Sequence, residues 1–212
     1  MSGYPTGDGH SIKNFIRRRI YSVLHFQEGV KPLGIPFADG CDQNDLKRAW
    51  KHRLAVIKQA IGHDISDLKS LDVGESNLLG RKLGIRDNTS GDLNWEFITP
   101  SNNYDIVTCF EVLEHVMNPA FLMKNILEHL KPGGMCYLCT PIRRHIDPFY
   151  GRNHLTEYEP RKLKILFDYV GFEMVAYKKF CLWDWDFMFW GFRPFFRVLL
   201  QRTQLWSLRR PY

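Results

Sequence analysis

Tyr104-Asp-Ile-Val-Thr-Cys-Phe-Glu-Val-Leu-Glu-His115, followed by Asn118-Pro119 and then by Leu130-Lys-Pro-Gly-Gly134, is the stretch that decides the fold. Its first seven residues are mostly apolar or β-branched, as in a strand buried on both faces of a sheet. Asn118 suits a helix cap and Pro119 a first helical turn, so a helix opens there. Met123, Ile126, Leu127 and Leu130 form its inward face, and Lys131-Pro-Gly-Gly134 is expected to stop it. Residues 135–140 then read as a second buried strand. Strand, helix and strand in this order imply parallel pairing through a crossover.

Working outward, residues 68–74 read as a short strand ending in Leu71-Asp-Val-Gly74, with a short helix over 77–83 and a weak, turn-rich strand over 85–93. Downstream, Leu163, Leu166, Phe167 and Val170 mark a helix face with Gly171 past its end, followed by a strand over 172–180. Toward the N-terminus, apolar residues at 12, 15, 16, 20, 23 and 24 predict a helix from Ser11 to Gly29, and a Pro/Gly loop covers Lys31 to Gly40. Leu46, Trp50, Leu54, Ile57 and Ile61 predict another helix, with Asp42 or Asn44 as cap and Gly62 beyond it. Strands separated by helices imply a mostly parallel α/β sheet covered on both faces. A strand that ends in glycine and runs into a helix puts backbone N–H groups at the carboxyl edge of such a sheet, where open α/β sheets bind ligands. The nicotinamide fingerprint G-x-G-x-x-G is absent, because Glu75, Ser76, Asn77, Leu78 and Leu79 separate Gly74 from Gly80.

The order and spacing of these blocks resemble the class I S-adenosylmethionine-dependent methyltransferases. In that family a YD-hydrophobic-hydrophobic strand is followed by E-V-L-E-H and, after one helix, by L-K-P-G-G. The resemblance covers residues 68–180, and Asn153-His-Leu-Thr-Glu-Tyr158 and Val170-Gly-Phe172 are similar too, especially to members acting on small molecules, lipids or glycans. It implies a Rossmann-like sheet with helices on both faces. It also implies methyl transfer from S-adenosylmethionine to a small-molecule, glycan or lipid-linked acceptor, at a hydroxyl oxygen. Asp72, Gly74, Glu75, Ser76 and Asn77 match the segment that holds the methionine part of the cofactor. There backbone N–H groups suit its carboxylate, and carboxylate side chains suit its ammonium. Phe110, Glu111 and Val112 match residues beside the cofactor, and His115 matches a residue that shapes the pocket.

Two departures stand out. The family pattern D-x-G-x-G-x-G has Ser76 and Leu78 at its second and third glycines here. A catalytically inactive domain serving as a binding or scaffold protein is therefore the alternative function. The other departure is length. Gly74 to Tyr104 is 30 positions (104 − 74), too short for the usual helix, two strands and helix, so the second-helix and third-strand region is shortened. Asp92 lies 18 positions after Gly74 (92 − 74), which suits a ribose ligand, and 13 before Asp105 (105 − 92), which with Leu93 suits an adenine-reading pair. Asp87 is the spare ribose candidate, and a turn cap is the other reading of Asp92.

A hydroxyl acceptor needs a general base with a pKa near neutrality. His154 and His145 lie in the loop after the Thr140-Pro141 strand. His154 is the first candidate, oriented by Glu157 or Tyr158. His10, His25, His52 and His63 have no supporting context.

The 212 residues suit one α/β domain with extensions: an N-terminal tail and helical extension (1–64), a methyltransferase core (65–180), and an aromatic, basic C-terminal extension (181–212). Five cysteines form no disulfide, redox or metal framework, so no metal is expected. The formal charge is +6, with arginines gathered at 17–19 and from 193 to 210. That pattern suits an anionic surface. Trp, Phe and Arg mixed over 181–212 point to an interfacial membrane segment, with cover of the sheet or a homodimer contact as the other readings. Nucleic acid ranks last, since Ile-Arg-Arg follows Pro141 in place of the Pro-Pro-aromatic motif of amino-group enzymes. Arg17 to Arg19 interrupt any signal-peptide core, and no run reaches the roughly 18 uncharged apolar residues of a membrane span. The expectation is a cytoplasmic protein, soluble or peripheral to a membrane.

Overall fold

Among the described residues six strands build one sheet. The structure, a computed structural model, describes residues 43–143, 154–183, 185–190 and 192–212. The helix expected from Ser11, the loop from Lys31 and His145 fall outside them. The strands are β1 (Ser70–Asp72), β2 (Asp87–Asn88), β3 (Tyr104–Phe110), β4 (Leu130–Pro141), β5 (Glu173–Phe180) and β6 (Thr203–Arg209). Their order is β2-β1-β3-β4-β6-β5. β2, β1, β3 and β4 run parallel, and β6 is antiparallel to both β4 and β5.

The helices are α1 (Gln43–Ile61), α2 (Leu78–Lys82), α3 (Pro119–His129), α4 (Pro160–Val170) and α5 (Phe192–Leu200). Alternate residues of β3 face opposite ways. Val107 and Cys109 meet Leu122, Met123 and Ile126 of α3 and Leu163 and Phe167 of α4. Ile106 and Phe110 meet Ile57 and Ile61 of α1 and Leu79 of α2. The central strands are thus covered on both faces, as an α/β fold of this type requires, whereas β5 at the edge is exposed except at Phe180.

Three elements differ from expectation. First, α3 ends at His129, and β4 begins at once with Leu130, whose backbone is extended. Lys131-Pro-Gly-Gly134 therefore lies within the strand. A register shift against β3 between Tyr104 and Ile106 absorbs it. Gly134 is needed there, because a Cβ would stand 2.9 Å from the Lys131 carbonyl and 3.1 Å from that of Tyr104. Second, β2 keeps only two residues, and from Thr89 to Asn103 no further helix or strand is formed beyond an isolated Ser90–Ile98 bridge. The shortening read from the spacing is real.

Third, residues 203–209 are no appendage to a core that stops at 180. They are β6, inserted between β4 and β5, and Thr203 to Leu208 are all buried. A strand covered on both faces shows no polar–apolar alternation, so its sequence does not announce it. Its polar members are satisfied internally: Gln204 Nε2 donates to the Pro141 and Tyr158 carbonyls at 3.2 and 2.9 Å, and its Oε1 accepts from Trp206 Nε1 at 3.0 Å. The Trp206 ring lies 5.3 Å from Phe167 and 4.4 Å from Tyr177. Trp206→Ala is expected to cost about 3–5 kcal/mol in urea unfolding. A midpoint that does not move would mean that 203–209 is peripheral.

Candidate active site

The turn after β1 is built around a buried carboxylate. Asp72 is 1% exposed; its Oδ1 accepts from Thr108 Oγ1 of β3 at 2.6 Å and its Oδ2 from Asn77 Nδ2 at 2.5 Å. Asn77 in turn caps α2, its Oδ1 accepting from Leu79 and Gly80 N–H at 2.9 and 3.1 Å. A Cβ on Gly80 would stand 2.5 Å from Asp72 Oδ2, so glycine is required there. Gly74 has φ +98° and donates its N–H to Thr89 Oγ1 at 2.7 Å. Ser76 and Leu78 do not have positive φ, so the turn needs no glycine at either place. The backbone N–H groups of Glu75 and Ser76, both exposed at the carboxyl edge, donate to no acceptor among the described residues. They fit a ligand carboxylate.

The segment after β3 carries the charges. Glu111 adopts φ +58°, a left-handed conformation that costs a side-chain-bearing residue about 1–2 kcal/mol. Its N–H bonds the Cys139 carbonyl at 2.8 Å, and its carboxylate lies 3.4 Å from the guanidinium of Arg53, which α1 brings over the edge. Both side chains are largely buried. Burial works against the Arg53 charge, but Glu111, with Cys139 and Glu114, outweighs it and holds the guanidinium protonated. Glu114 is fully buried; Oε2 accepts from Thr140 Oγ1 at 2.9 Å, while Oε1, 4.0 Å from His115 Nε2, has no hydrogen-bond partner among the described residues. Burial first, and Glu111 beside it, push Glu114 well above the usual carboxylate range.

The loop after β4 closes this cluster. Leu155 and Thr156 donate their N–H groups to the Glu114 carbonyl at 2.8 and 3.2 Å. His154 Nδ1 lies 2.7 Å from Glu157 Oε1, and the His154 ring meets His115 edge-on at 5.1 Å. One ligand atom each from Glu114, His115 and His154 lies within 4.8 Å of the others. His154 and Glu157 are thus in contact, and His154 also belongs to a cluster whose spacing suits a divalent cation.

The residues expected on the adenosine side have other partners. Asp92 is exposed and caps its own turn: Oδ1 accepts from Asn94 N and Nδ2 at 3.0 and 2.7 Å, and its carbonyl accepts from Trp95 and Glu96 N–H. Leu93 packs on the core. Asp87 accepts from the Tyr104 hydroxyl at 3.0 Å. Phe110 is buried among the α1-side residues, and Val112 packs on the opposite cluster. Arg53, Thr108 and Glu114 complete the cluster and were not singled out in the sequence. The signal for Arg53 was there: it sits four residues before Ile57 on the apolar face of α1.

A family model described as a methyltransferase domain matches residues 40–184. The chain belongs to this methyltransferase family. Among curated relatives, a ubiquinone biosynthesis O-methyltransferase of Psychrobacter arcticus is 31% identical to the methyltransferase over 93 residues, 40% of this chain and 36% of the relative. One of Neisseria meningitidis serogroup A is 30% identical over 131 residues, 57% of this chain and 53% of the relative. The match thus spans about a third to a half of these relatives' length. Among solved structures, an S-adenosylmethionine-dependent methyltransferase of Mesorhizobium loti superposes with TM-score 0.54 at 16% identity, over 81% of this chain and 99% of that one. The 1,6-didemethyltoxoflavin-N1-methyltransferase of Burkholderia thailandensis, with S-adenosylhomocysteine bound, gives TM-score 0.52 at 14% identity, over 100% of this chain and 94% of that one. At such identities the likeness is one of fold.

Burial raises Asp72 from its ordinary 3.8 to about 6, against the bonds from Thr108 and Asn77. Between those values the folded methyltransferase binds the Asp72 proton and the unfolded chain does not. Stability therefore falls as pH rises through the window and stays at the lower level above it. Asp72→Asn cannot ionise, so the difference in thermal midpoint between parent and variant should shift steadily across the window. A constant difference would show that Asp72 does not titrate there.

Proposed function

We propose that this domain transfers a methyl group from S-adenosylmethionine to a hydroxyl oxygen of a small-molecule, glycan or lipid-linked acceptor. The observation that carries the reading is the His154–Glu157 contact at 2.7 Å, set against His115 at the same sheet edge as the β1 turn. The curated relatives are named for O-methylation in ubiquinone biosynthesis, which supports an oxygen acceptor, and a phenol serves as the worked case.

The Glu75 and Ser76 amides and the Arg53 guanidinium would hold the cofactor's carboxylate, with Glu111 beside its ammonium. Bound there, the cofactor supplies an electrophilic methyl on a sulfonium. A phenol with a pKa of about 10 keeps its proton at neutral pH, so a base is needed at the moment of transfer. Donation from His154 Nδ1–H to Glu157 would leave the lone pair on Nε2 free to take the acceptor's proton. Placing that oxygen in line supplies much of the remaining rate. The Glu114–His115–His154 cluster favours a second reading, in which a divalent cation there polarises the acceptor hydroxyl.

Calorimetric titration of the intact chain with S-adenosylmethionine should give micromolar affinity, roughly −8 kcal/mol, weakened in Arg53→Gln. Absence of binding by folded parent protein would favour the inactive scaffold. With a phenolic acceptor, His154→Ala should lower kcat about a hundredfold to ten-thousandfold while cofactor affinity stays put. Unchanged turnover would remove His154 from the chemistry, and loss of parental activity in chelator would move the reading to the cation.

A further inference from the structure

Gln204 sets a carboxamide in the interior of the sheet. It is 0% exposed on β6, with β4 on one side and β5 on the other. A buried carboxamide costs free energy unless its polar atoms are matched, and an apolar side chain would pack there without that demand. Here each donor is matched, and the partners have a direction. Oε1 accepts from Trp206 Nε1 at 3.0 Å, two residues along on the same face of the strand. An indole N–H only donates, so this bond turns the amino group the other way. Its two hydrogens go to the Pro141 carbonyl at 3.2 Å and the Tyr158 carbonyl at 2.9 Å.

Those two carbonyls are the two ends of one connection. Pro141 closes β4, and Tyr158 follows the stretch that carries His154 and Glu157. The ends are joined to each other as well: Ile142 and Tyr158 form a parallel bridge, and Arg143 N–H donates to the Tyr158 carbonyl at 3.2 Å. Before Tyr158, Leu155 and Thr156 give their N–H groups to the Glu114 carbonyl. Glu157 thus lies between two anchors, Thr156 held by the segment after β3 and Tyr158 held by β6. Its side chain, 7% exposed, meets His154 Nδ1 at 2.7 Å. A shift of Tyr158 is passed on to Glu157, and from Glu157 to the imidazole.

We propose that Gln204 is a positioning residue for the candidate base: from β6 its carboxamide fixes the Tyr158 backbone, and through it Glu157 and the His154 ring. Gln204 need touch neither acceptor nor cofactor for this. The clamp stands on its hydrogen bonds. Its service to the reaction rests on the reading above, in which His154 takes the acceptor's proton.

The test is a double-mutant cycle on the full chain with Gln204→Met and His154→Ala, using S-adenosylmethionine and a phenolic acceptor. Methionine is close to glutamine in length and has no N–H to donate. Misplacing a reacting group by about 1 Å lowers a rate on the order of a hundredfold, so Gln204→Met should lower kcat about tenfold to a hundredfold. The KM for the cofactor and the number of cofactor sites per chain should stay put. In the His154→Ala background the same substitution should change kcat less than about twofold, because the group that it positions is gone. Equal losses in both backgrounds would mean that Gln204 only supports the fold, and they overturn the proposal. So does an unchanged kcat in the single variant. Nitrogen NMR of the His154 ring, at a pH where it is neutral, is a second readout that needs no turnover. The parent should show one tautomer, protonated at Nδ1, and Gln204→Met an average of the two. One fixed tautomer in both proteins overturns the proposal too. If the parent transfers no methyl group, or His154→Ala loses no activity, the base reading falls and the ring signals alone decide the clamp. Should Gln204→Met fail to fold, Gln204→Glu takes its place in both measurements: it has the same size, still accepts from Trp206 and donates to one carbonyl at most.

Discussion

Asp72 holds a carboxylate inside the sheet and has it bonded from two directions, by Thr108 on the neighbouring strand and by Asn77 at the head of α2. The rest of the carboxyl edge is arranged around that bridge. Because Asp72 takes the Asn77 amino group, the Asn77 oxygen turns to α2 and receives two N–H groups that would otherwise lack acceptors. Because the carboxylate needs room, Gly80 is bare. The connection is then short, and the amides of Glu75 and Ser76 are left without an acceptor among the described residues. A capping asparagine thus does by hydrogen bonding what the family's extra glycines are expected to do by conformational freedom.

Charge is concentrated beyond that turn. Two carboxylates and one guanidinium meet in a region with little water, and ionising all three groups would leave a net negative charge in a medium that tolerates none. The structure resolves this by pairing Arg53 with Glu111 and by favouring the neutral form of Glu114, which bonds Thr140. The strained backbone of Glu111 fits the same arrangement, since its conformation accompanies both the Arg53 contact and the bond to Cys139. Strain and buried charge held together by surrounding structure are typical of sites kept for binding or chemistry.

Much of this was legible in the sequence because it is local. The strand at 104–110, the cap at Asn118, the helix end at Gly171 and the spacing of His154 and Glu157 all rest on residues close in the chain. What escaped is long-range. Thr108 shows its role only when β3 lies beside β1, and Arg53 only when α1 folds over the edge. Asp92 forms turn-closing bonds to Asn94 through Oδ1 while staying exposed, a pairing that its distance from Gly74 did not reveal. β6 was hidden because its buried Thr203, Gln204 and Ser207 break up the apolar signal, and its neighbours in sequence are aromatics that suggested a surface segment.

The place of β6 also sets an order of events. β4 and β5 lie on either side of a vacant lane until residues 203–209 arrive to fill it, and the chain leaves the ribosome from its N-terminus. Before that moment β3 and β4 can pair, whereas β5 has no neighbour to hold it and the α4-side core lacks Trp206. Closing this side of the sheet therefore threads no element through another but waits on residues 203–209. Over that interval the long flank of β4 is an open edge, the kind of surface that binds the wrong strand when the right one is slow.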